Sequence, residues 1–500
     1  MRFLRVLLIL FGLGLLTYAG LGLQDRATFN RAAWQQDFAQ LLDHTSRSYA
    51  NLEWVAARGV SLPQLKEQTL TRLQEARSNR EARAALTAFA EAFGDPHYQV
   101  HRVKLSKRVE TWWRSVRQPE EAKDAADPGP TLGGEALCAR LGFAAKGQQS
   151  PFEFSVQGAQ WLSGGLPQDD EFPTAALRLP SGKTVGLIRI GSFSERSYPR
   201  TCQAAWEAYR ATLAGPCDSA CLETFQYVTV PNALLAAVER RVEQLQAQGV
   251  DALAVDLTGN GGGTDWAAAA ARIFAPAPLP CGRLAVIKHP HWTEHFRAQK
   301  RELYQALQAR PDTAVLTQAV QRLDALIAET STPCDRLPLW ERGGKVECRG
   351  TTRADRSACG LFAHLPPGTL DHAEVAQNLE HTLAFTYRPA LWTGPLLLVL
   401  DDHTASASEQ FAAMLLDGAK AIPVGQRTLG AGCGFTRGGI LARLNNSGLE
   451  VRMPDCARLR ADGSNEIDGI TPKVALTWAD DAPARAEQLA TALQQTLGGS

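Results

Sequence analysis

The sequence predicts an α/β protein with a helical region ahead of its α/β core, and three observations support this class. Between residues 30 and 93, leucines and a phenylalanine recur at helical intervals among charged residues. Beyond residue 181, short apolar runs alternate with helical stretches, which is the order of elements in an α/β core. The composition, 45% hydrophobic and 21% charged over 500 residues, is that of a folded protein with two or three domains.

The predicted elements follow one another in a regular order. Ser61 and Ser78 stand where helix N-caps belong in the helical region, which closes at Gly94-Asp95-Pro96-His97. Strands are predicted at 184–190, 252–257, 284–287, 395–400 and 422–424, and helices at 230–248, 264–274, 293–330 and 406–416. The chain thus divides into a signal peptide or signal anchor (1–23), a helical domain (24–100) and a linker or insertion (101–180). An α/β core (181–480) with helical and cysteine-rich insertions (293–370) and a C-terminal helix (481–500) follow.

The N-terminus has the pattern of an export signal. Arg2 and Arg5 precede an apolar run over residues 6–23, and Ala19 is a small residue suited to signal peptidase. The run is long enough to nearly span a bilayer, so a cleaved signal and a retained membrane anchor are both open. In either case the sequence predicts a periplasmic or secreted protein.

The chain has ten cysteines, an even number that predicts disulfides in an exported protein. Cys433 and Cys456 flank a predicted hairpin and form a candidate pair. Zinc is the alternative at Cys217 and Cys221, but no second ligand pair follows at the spacing of a zinc finger.

Charge and motif content exclude several classes of function. Lys+Arg and Asp+Glu both number 52, so no electrostatic feature favours nucleic acid as a partner. The pattern His289-x-His291-x-x-x-His295 lacks the glutamate of a zinc-peptidase helix, and Pro290 interrupts it. We expect no metal and no cofactor.

A serine follows the predicted strand 395–400 at the start of a predicted helix, in Thr404-Ala405-Ser406-Ala407-Ser408-Glu409. The free amides at a helix N-terminus can stabilise the oxyanion that forms when a serine attacks a carbonyl. Ser406-x-x-Glu409 is also a capping box, which requires no catalysis. These six residues alone leave both interpretations open.

A glycine cluster, Asp256-Leu257-Thr258-Gly259-Asn260-Gly261-Gly262-Gly263, separates the predicted strand 252–257 from the predicted helix 264–274. Glycines at such a place let backbone amides approach a ligand closely. The Gly-Lys-Ser/Thr of a nucleotide-binding loop is missing, and the spacing departs from the dinucleotide fingerprint. A tight turn without a ligand is the alternative.

Two further polar turns contain candidate residues. His97 follows the helical region and could serve as a general base, although a single histidine is more often structural. Glu466 lies in the polar turn 462–472, which turn chemistry alone would also explain.

Together and in this order, the patterns resemble the tail-specific, or C-terminal-processing, serine peptidases. The glycine cluster resembles the family's Asp-Leu-Arg-x-Asn-Gly-Gly-Gly motif with Thr258 in place of arginine. Residues 404–409 resemble its nucleophile motif, which makes Ser406 the nucleophile. The resemblance covers about residues 30–100 and 180–480 and implies a crotonase/ClpP-like core of β-β-α units.

Three shorter stretches extend the resemblance. Residues 424–430 resemble Val-Gly-x-x-Thr-x-Gly, residues 466–472 resemble the closing Glu-x-x-Gly-Val-x-Pro, and residues 94–97 resemble Gly-Asp-x-His. The Ser-Lys branch of the family has Gly-Lys-Gly just after the first of these, where this chain has Ala431 between two glycines. Lys420 precedes a predicted strand and is interpreted as a surface residue. The resemblance therefore implies the lysine-lacking branch typified by the tricorn core protease.

In that branch His97 is the base and Glu466 helps to complete the site. His97 would take the Ser406 proton and deliver it to the leaving amine, while Glu466 orients the arrangement directly or through a hydroxyl such as that of Thr404 or Ser408. The predicted oxyanion hole consists of the amides of Ala407 and of Gly261 or Gly262.

The resemblance implies a protein or peptide substrate. Membrane contact is expected only if residues 6–23 are retained as an anchor. Two alternatives stay open at this point. One is a catalytically inactive ligand- or peptide-binding protein on the same scaffold. The other is a hydrolase or acyltransferase for non-peptide esters or amides.

Overall fold

The computed structural model describes residues 25–102, 132–147, 160–161, 171–275, 278–309, 313–343, 346–353, 356–365, 373–436 and 439–498. The export signal predicted at residues 1–23 lies outside these residues, as does much of the linker predicted at 101–180. Within the described part of the chain, no helix combines the length and apolar character needed to cross a membrane.

Four helices and a short strand open the described chain: α1 (Arg31–Ser48), α2 (Leu52–Ala57), α3 (Leu62–Glu75), α4 (Asn79–Glu91) and β1 (Gln99–His101). Ser78 caps α4 by accepting the Glu81 amide, whereas Ser61 precedes α3 without a capping side-chain bond. The apolar faces of these helices form a core that also takes in Val451 and Ile467 from the far end of the chain. The turn after α4 is thereby held against distant segments.

The remaining helices and strands alternate along the chain. The first group is α5 (Gly134–Arg140), β2 (Gln160–Trp161), β3 (Thr174–Arg178), β4 (Thr184–Arg189), α6 (Pro199–Arg210), α7 (Ser219–Thr224), α8 (Val230–Ala247), β5 (Ala252–Asp256) and α9 (Trp266–Ile273). The second is β6 (Arg283–Val286), α10 (Pro290–Ala309), α11 (Ala314–Thr330), α12 (Leu339–Arg342), β7 (Arg356–Ser357) and α13 (Ala373–Leu379). The third is β8 (Leu396–Leu400), α14 (Ala407–Ala419), β9 (Ile422–Gly425), β10 (Ile440–Arg443), β11 (Glu450–Met453), β12 (Cys456–Leu459), β13 (Val474–Ala475) and α15 (Ala482–Gly498).

Seven of the strands in the described chain form the central sheet, in the order β13-β9-β8-β5-β4-β3-β2. The strands from β13 to β4 are parallel, and β3 and β2 run antiparallel. Leu253 and Val255 face one apolar core, while Ala252 and Ala254 face the other, which includes α15. Burial on both faces confirms the predicted α/β class.

The sheet order places two of the predicted motifs side by side. Strands β5 and β8 are parallel neighbours, so their carboxyl ends meet at one edge of the sheet. The glycine cluster follows β5, and Ser406 follows β8. A separate sheet of order β1-β11-β10 brings the residues after His97 to the C-terminal third of the chain.

All ten cysteines are paired, as the predicted disulfides require: Cys138–Cys202, Cys217–Cys221, Cys281–Cys359, Cys334–Cys348 and Cys433–Cys456. The predicted pair Cys433–Cys456 is confirmed, and the zinc alternative at Cys217 and Cys221 is excluded by their disulfide.

Candidate active site

Ser406 occupies a strained turn between β8 and α14. Its backbone angles are φ 58° and ψ −115°, so the helix predicted from residue 406 begins at Ala407 instead. A non-glycine residue in such a conformation costs roughly 1–3 kcal/mol, and the surrounding structure must hold it there. Strain of this kind is typical of a strand-to-helix turn that presents a reactive serine.

The Glu409 carboxylate supplies much of that support. It accepts the Ser406 amide at 2.9 Å, as a capping residue would. It also accepts the Thr428 hydroxyl at 2.6 Å and the amides of Gly430 and Ala431 at 2.8 Å each. Glu409 is completely buried. Capping therefore describes only part of what Glu409 does. The same carboxylate joins the loop after β9 to residues 401–406, the turn that holds the predicted nucleophile and is called the nucleophile turn below.

His97 lies on the turn after α4, and Asp95 holds this turn. The Asp95 carboxylate accepts the His97 amide at 3.0 Å and the Tyr49 hydroxyl at 2.9 Å, and burial raises its pKa to about 6. Nδ1 of His97 lies 2.7 Å from the carbonyl oxygen of Ala431. Since a carbonyl only accepts, Nδ1 carries the hydrogen, and the neutral ring has its lone pair on Nε2.

Ala431 links the two candidate side chains through one network. Its amide donates to the same Glu409 oxygen that accepts the Ser406 amide, and its carbonyl binds His97. It also occupies the position at which the Ser-Lys branch has its lysine. Among the described residues, no hydrogen bond joins Ser406 to His97 directly. The structure thus brings the predicted base into the network of the nucleophile turn without closing the pair.

The sequence analysis did not identify Arg458, a buried residue of β12 that contacts the nucleophile turn. Its Nη2 donates to the carbonyl oxygens of Ser406 and Gly432 at 3.0 and 3.1 Å. Its Nη1 donates to Gln410 at 3.1 Å, and its Nε donates to Glu466 at 2.5 Å. An arginine within a short, buried strand was the only signal in the sequence, and it does not specify these partners.

Glu466 lies in the short 3₁₀ turn Glu466–Asp468, where its buried carboxylate pairs with Arg458. Burial raises the pKa of Glu466, and the Arg458 charge opposes that rise. We expected Glu466 to act on the nucleophile or base directly or through a hydroxyl. The structure places its carboxylate on the guanidinium that binds the Ser406 carbonyl, so Glu466 contacts the Ser406 turn through Arg458.

Burial lowers the pKa of His97, and the hydrogen bond to the Ala431 carbonyl opposes this shift. The nearby charges of Arg458 and Arg452 lower the pKa further, so the balance disfavours the imidazolium form. A neutral imidazole is the form that a general base requires before it takes a proton.

The amides predicted for the oxyanion hole differ in whether they already donate a hydrogen bond. Those of Ala407 and Gly261 have no hydrogen-bond acceptor within the described ranges of the chain. The Gly262 amide donates to the Asn260 side chain at 2.9 Å, which removes Gly262 from the predicted donors. Gly262 instead packs against the nucleophile, since a β-carbon there would lie 2.8 Å from Cβ of Ser406.

Thr258 stands where the family motif has arginine, and an arginine of the neighbouring strand β4 binds this residue. Arg189, at the end of β4, donates to Asp256 at 2.7 Å and to the Thr258 carbonyl at 3.0 Å. Both charged side chains are buried. An ion pair therefore fixes the start of the glycine loop even though the motif residue differs.

The glycine loop and the nucleophile turn also bind each other directly. The Ala405 amide donates to the Asn260 carbonyl at 3.0 Å, and the Gly259 amide donates to the Asp401 carboxylate at 2.8 Å. Asp401, Asp402 and His403 place three potential metal-binding atoms within 4.8 Å of one another. The Asp401 carboxylate is already engaged with the loop, and we assign no metal role to this group.

Comparison with known proteins identifies the family. The model of peptidase family S41 matches residues 184–476. Solved structures of mature CPAF, and of CPAF complexed with lactacystin, match at 15% identity and a TM-score of 0.52, over 92% and 93% of this chain and 95% and 98% of those chains. The photosystem II D1 C-terminal processing protease matches at 15% identity and a TM-score of 0.32, over 92% of this chain and 96% of that chain. No curated protein matches.

The family match covers more than half of the chain and includes the glycine loop, Ser406 and Glu466. The likeness to CPAF confirms the crotonase/ClpP-like fold over nearly the whole length of both chains. The predicted activity class follows from the family, whose members are serine peptidases. The chain belongs to peptidase family S41, the tail-specific serine peptidases.

Proposed function

We propose that the chain is an exported serine peptidase that hydrolyses peptide bonds with Ser406 as nucleophile and His97 as general base. The observation that carries this proposal is the network through Ala431, whose amide and carbonyl tie the Ser406 turn to the His97 ring. The alanine at this position also supports the lysine-lacking branch, because the residue that replaces the lysine binds the candidate base.

In the first step His97 Nε2 takes the Ser406 proton while Oγ attacks the substrate carbonyl. The proton then passes to the leaving amine, and water hydrolyses the acyl-enzyme with His97 again as base. The amides of Ala407 and Gly261 stabilise the oxyanion. This mechanism requires Ser406 Oγ and His97 Nε2 to come within hydrogen-bond distance in the catalytic complex, a contact that often tightens only when substrate binds.

Arg458 and Glu466 hold the Ser406 turn in position and take no part in proton transfer. The guanidinium holds the carbonyl oxygen of Ser406, and the Glu466 carboxylate neutralises a cation that is otherwise costly to bury. Their geometry supports the strained turn.

The localisation we propose is periplasmic or secreted, with residues 6–23 as a signal or membrane anchor. Five disulfides support this, because they form and persist in oxidising compartments outside the cytoplasm.

Covalent labelling and peptide hydrolysis test the proposal. The wild-type protein should react with a fluorophosphonate and hydrolyse peptides, and Ser406→Ala and His97→Ala should each lower hydrolysis by about 10⁴-fold or more. Ser408→Ala is the matched control, since its buried hydroxyl has no hydrogen-bond partner in the described chain.

Unchanged hydrolysis by Ser406→Ala would contradict the proposal. Ligand binding without labelling of the wild type would favour the binding-protein alternative. Turnover of small esters without turnover of peptides would favour the non-peptide hydrolase.

A further inference from the structure

Two arginines near His97 differ in what surrounds them. Arg458 has its guanidinium occupied by Glu466, Gln410 and two backbone carbonyls. Arg452 forms no ion pair and no hydrogen bond through its guanidinium within the described residues, and its Nε is buried without an acceptor. Partial burial of a cation without an anionic partner costs free energy, and an anion that binds there would offset that cost.

The backbone holds Arg452 close to the candidate base. In the antiparallel pairing of β1 with β11, Arg452 lies opposite Gln99, two residues after His97. The Arg452 side chain stacks on Phe435, with its guanidinium carbon 3.6 Å from the ring centroid. Phe435 in turn contacts His97 edge to face, with centroids 5.1 Å apart. The charge is thus fixed on an aromatic platform beside the catalytic imidazole.

The two carboxylates closest to Arg452 in sequence contact other residues. Glu450, two residues before Arg452 and on the same face of the strand, faces His101 at 3.7 Å. The buried Asp455 carboxylate accepts the Thr436 amide at 3.1 Å. Neither neutralises Arg452.

An apolar side chain completes this surface. Leu441 of β10 lies opposite Arg452 in the register, and two-thirds of its area is exposed (65%). Paired residues of an antiparallel sheet point to the same face, so the leucine and the arginine stand side by side. Such a surface offers one apolar contact and one cation to an extended peptide.

We propose that Arg452 is a specificity-determining residue that binds a carboxylate of the substrate near the scissile bond. This inference rests on the proposed function, since it assumes that peptides are cleaved at Ser406. The planar guanidinium can donate two parallel hydrogen bonds to a carboxylate, and its stacking on Phe435 reduces the entropy lost on binding. The carboxylate belongs either to an aspartate or glutamate side chain or to a free peptide C-terminus.

The test compares matched peptides. In an amidated peptide, a single glutamate is placed in turn at each of the four positions on either side of the scissile bond, with glutamine as its neutral counterpart. A second pair carries no acidic side chain and differs only in having a free or an amidated C-terminus. The wild type should show a kcat/KM preference of roughly ten- to a hundredfold for glutamate at one position, or for the free C-terminus, as expected for a hydrogen bond to a charged group.

Three variants of Arg452 and one control variant test whether Arg452 causes this preference. Arg452→Gln should reduce the glutamate-to-glutamine ratio to about 1, and Arg452→Glu should favour lysine at the same position. Arg443→Gln is the matched control. It removes the same charge from the same face of the small sheet, opposite Glu450, and should keep the wild-type ratio. Arg452→Lys keeps the charge without the planar fork and should give an intermediate ratio.

The inference is overturned if the wild type shows no carboxylate preference in any pair, or if Arg452→Gln keeps the wild-type ratio. Equal loss of hydrolysis of both peptides in Arg452→Gln and Arg452→Lys would also overturn it, because the residue would then act by packing alone. In each of these cases, continued labelling of Ser406 in the wild type leaves the proposed function standing, so the two failures are distinguishable.

Discussion

Ser406 holds a backbone conformation that a side chain disfavours, and the cost is borne by contacts outside the residue. Its φ of 58° is one of three positive values among non-glycine residues in the described chain. The Glu409 carboxylate and the Arg458 guanidinium bind its amide and its carbonyl respectively. A free energy of roughly 1–3 kcal/mol is stored in this turn and is held by those two buried side chains.

Removing the β-carbon should release part of that free energy. Ser406→Gly and Ser406→Ala should both abolish hydrolysis, but only glycine adopts the positive φ without strain. After allowance for the larger unfolded-state entropy of glycine, we expect Ser406→Gly to be more stable than Ser406→Ala by about 1 kcal/mol. Urea unfolding measures the difference, and an alanine variant of equal or greater stability would contradict the strain.

The pH dependence of hydrolysis should follow His97. Its pKa is lowered from the ordinary 6.5, mainly by burial, so the ring is neutral and competent as a base at pH 7. We expect kcat/KM to be level above pH 6.5 and to fall as the pH drops through the lowered pKa. An acid limb centred above 6.5 would argue against His97 as the base.

Asp95 titrates near the same range, because burial raises its pKa to about 6. Its protonation as the pH falls removes a charged acceptor from the His97 amide and should steepen the acid limb. Asp95→Asn should therefore show a shallower, single-proton limb than the wild type. An unchanged slope would assign the limb to His97 alone.

At the scale of elements, the ends of β5 and β8 create the site. The loop after β5 and the turn after β8 are bound through the Asn260 carbonyl and the Asp401 carboxylate. Gly262 has φ 93°, and a β-carbon on this residue would lie within 2.8 Å of atoms of Ala405 and Ser406. A side chain at that point cannot be accommodated without moving the nucleophile.

Gly262→Ala should therefore be damaging, whereas Gly261→Ala should be tolerated by the fold. A β-carbon at residue 262 would meet the Ala405 carbonyl at 2.7 Å, but one at residue 261 would meet no atom within 4 Å. We expect a loss of about 2–4 kcal/mol in the free energy of unfolding for the first variant and under about 1 kcal/mol for the second. Thermal or urea unfolding provides the comparison, and equal losses would refute the packing argument.

At the scale of the whole molecule, His97 reaches the candidate site only because the helical region packs on the core. His97 reaches Ala431 across 334 positions of sequence. The disulfide Cys433–Cys456 holds this docking loop to β12, which carries Arg458 two residues later. Gly434, next to Cys433, packs on the His97 ring, where a β-carbon would lie 3.2 Å from the imidazole.

Opening this disulfide should cost both stability and activity. For a sequence separation of 23, Cys433→Ser/Cys456→Ser should lose roughly 3 kcal/mol, and catalysis should weaken as the loop loosens. The control Cys217→Ser/Cys221→Ser opens a disulfide with a separation of only 4 and should lose roughly 2 kcal/mol with kcat/KM nearly unchanged. Equal activity losses in both double variants would contradict the docking role.

The sequence by itself determined the features that depend on local order. The periodicity of short apolar runs predicted the α/β class and five of the thirteen strands in the described residues, each within one or two residues, because burial on both faces of a parallel sheet requires such runs. It also placed Ser406 and the glycine loop next to strand ends. The pairing of Cys433 with Cys456 followed from a hairpin that lies between them.

Only the tertiary structure decided which groups contact one another across the chain. The pairing of Glu466 with Arg458 and the bond from His97 to Ala431 join residues whose types permit many other partners. Arg189 binds Asp256 and Thr258 because β4 and β5 are neighbours in space, which the motif does not encode. Hydrogen bonds and ion pairs depend on distances of a few ångströms, and those distances are set by packing of the whole chain.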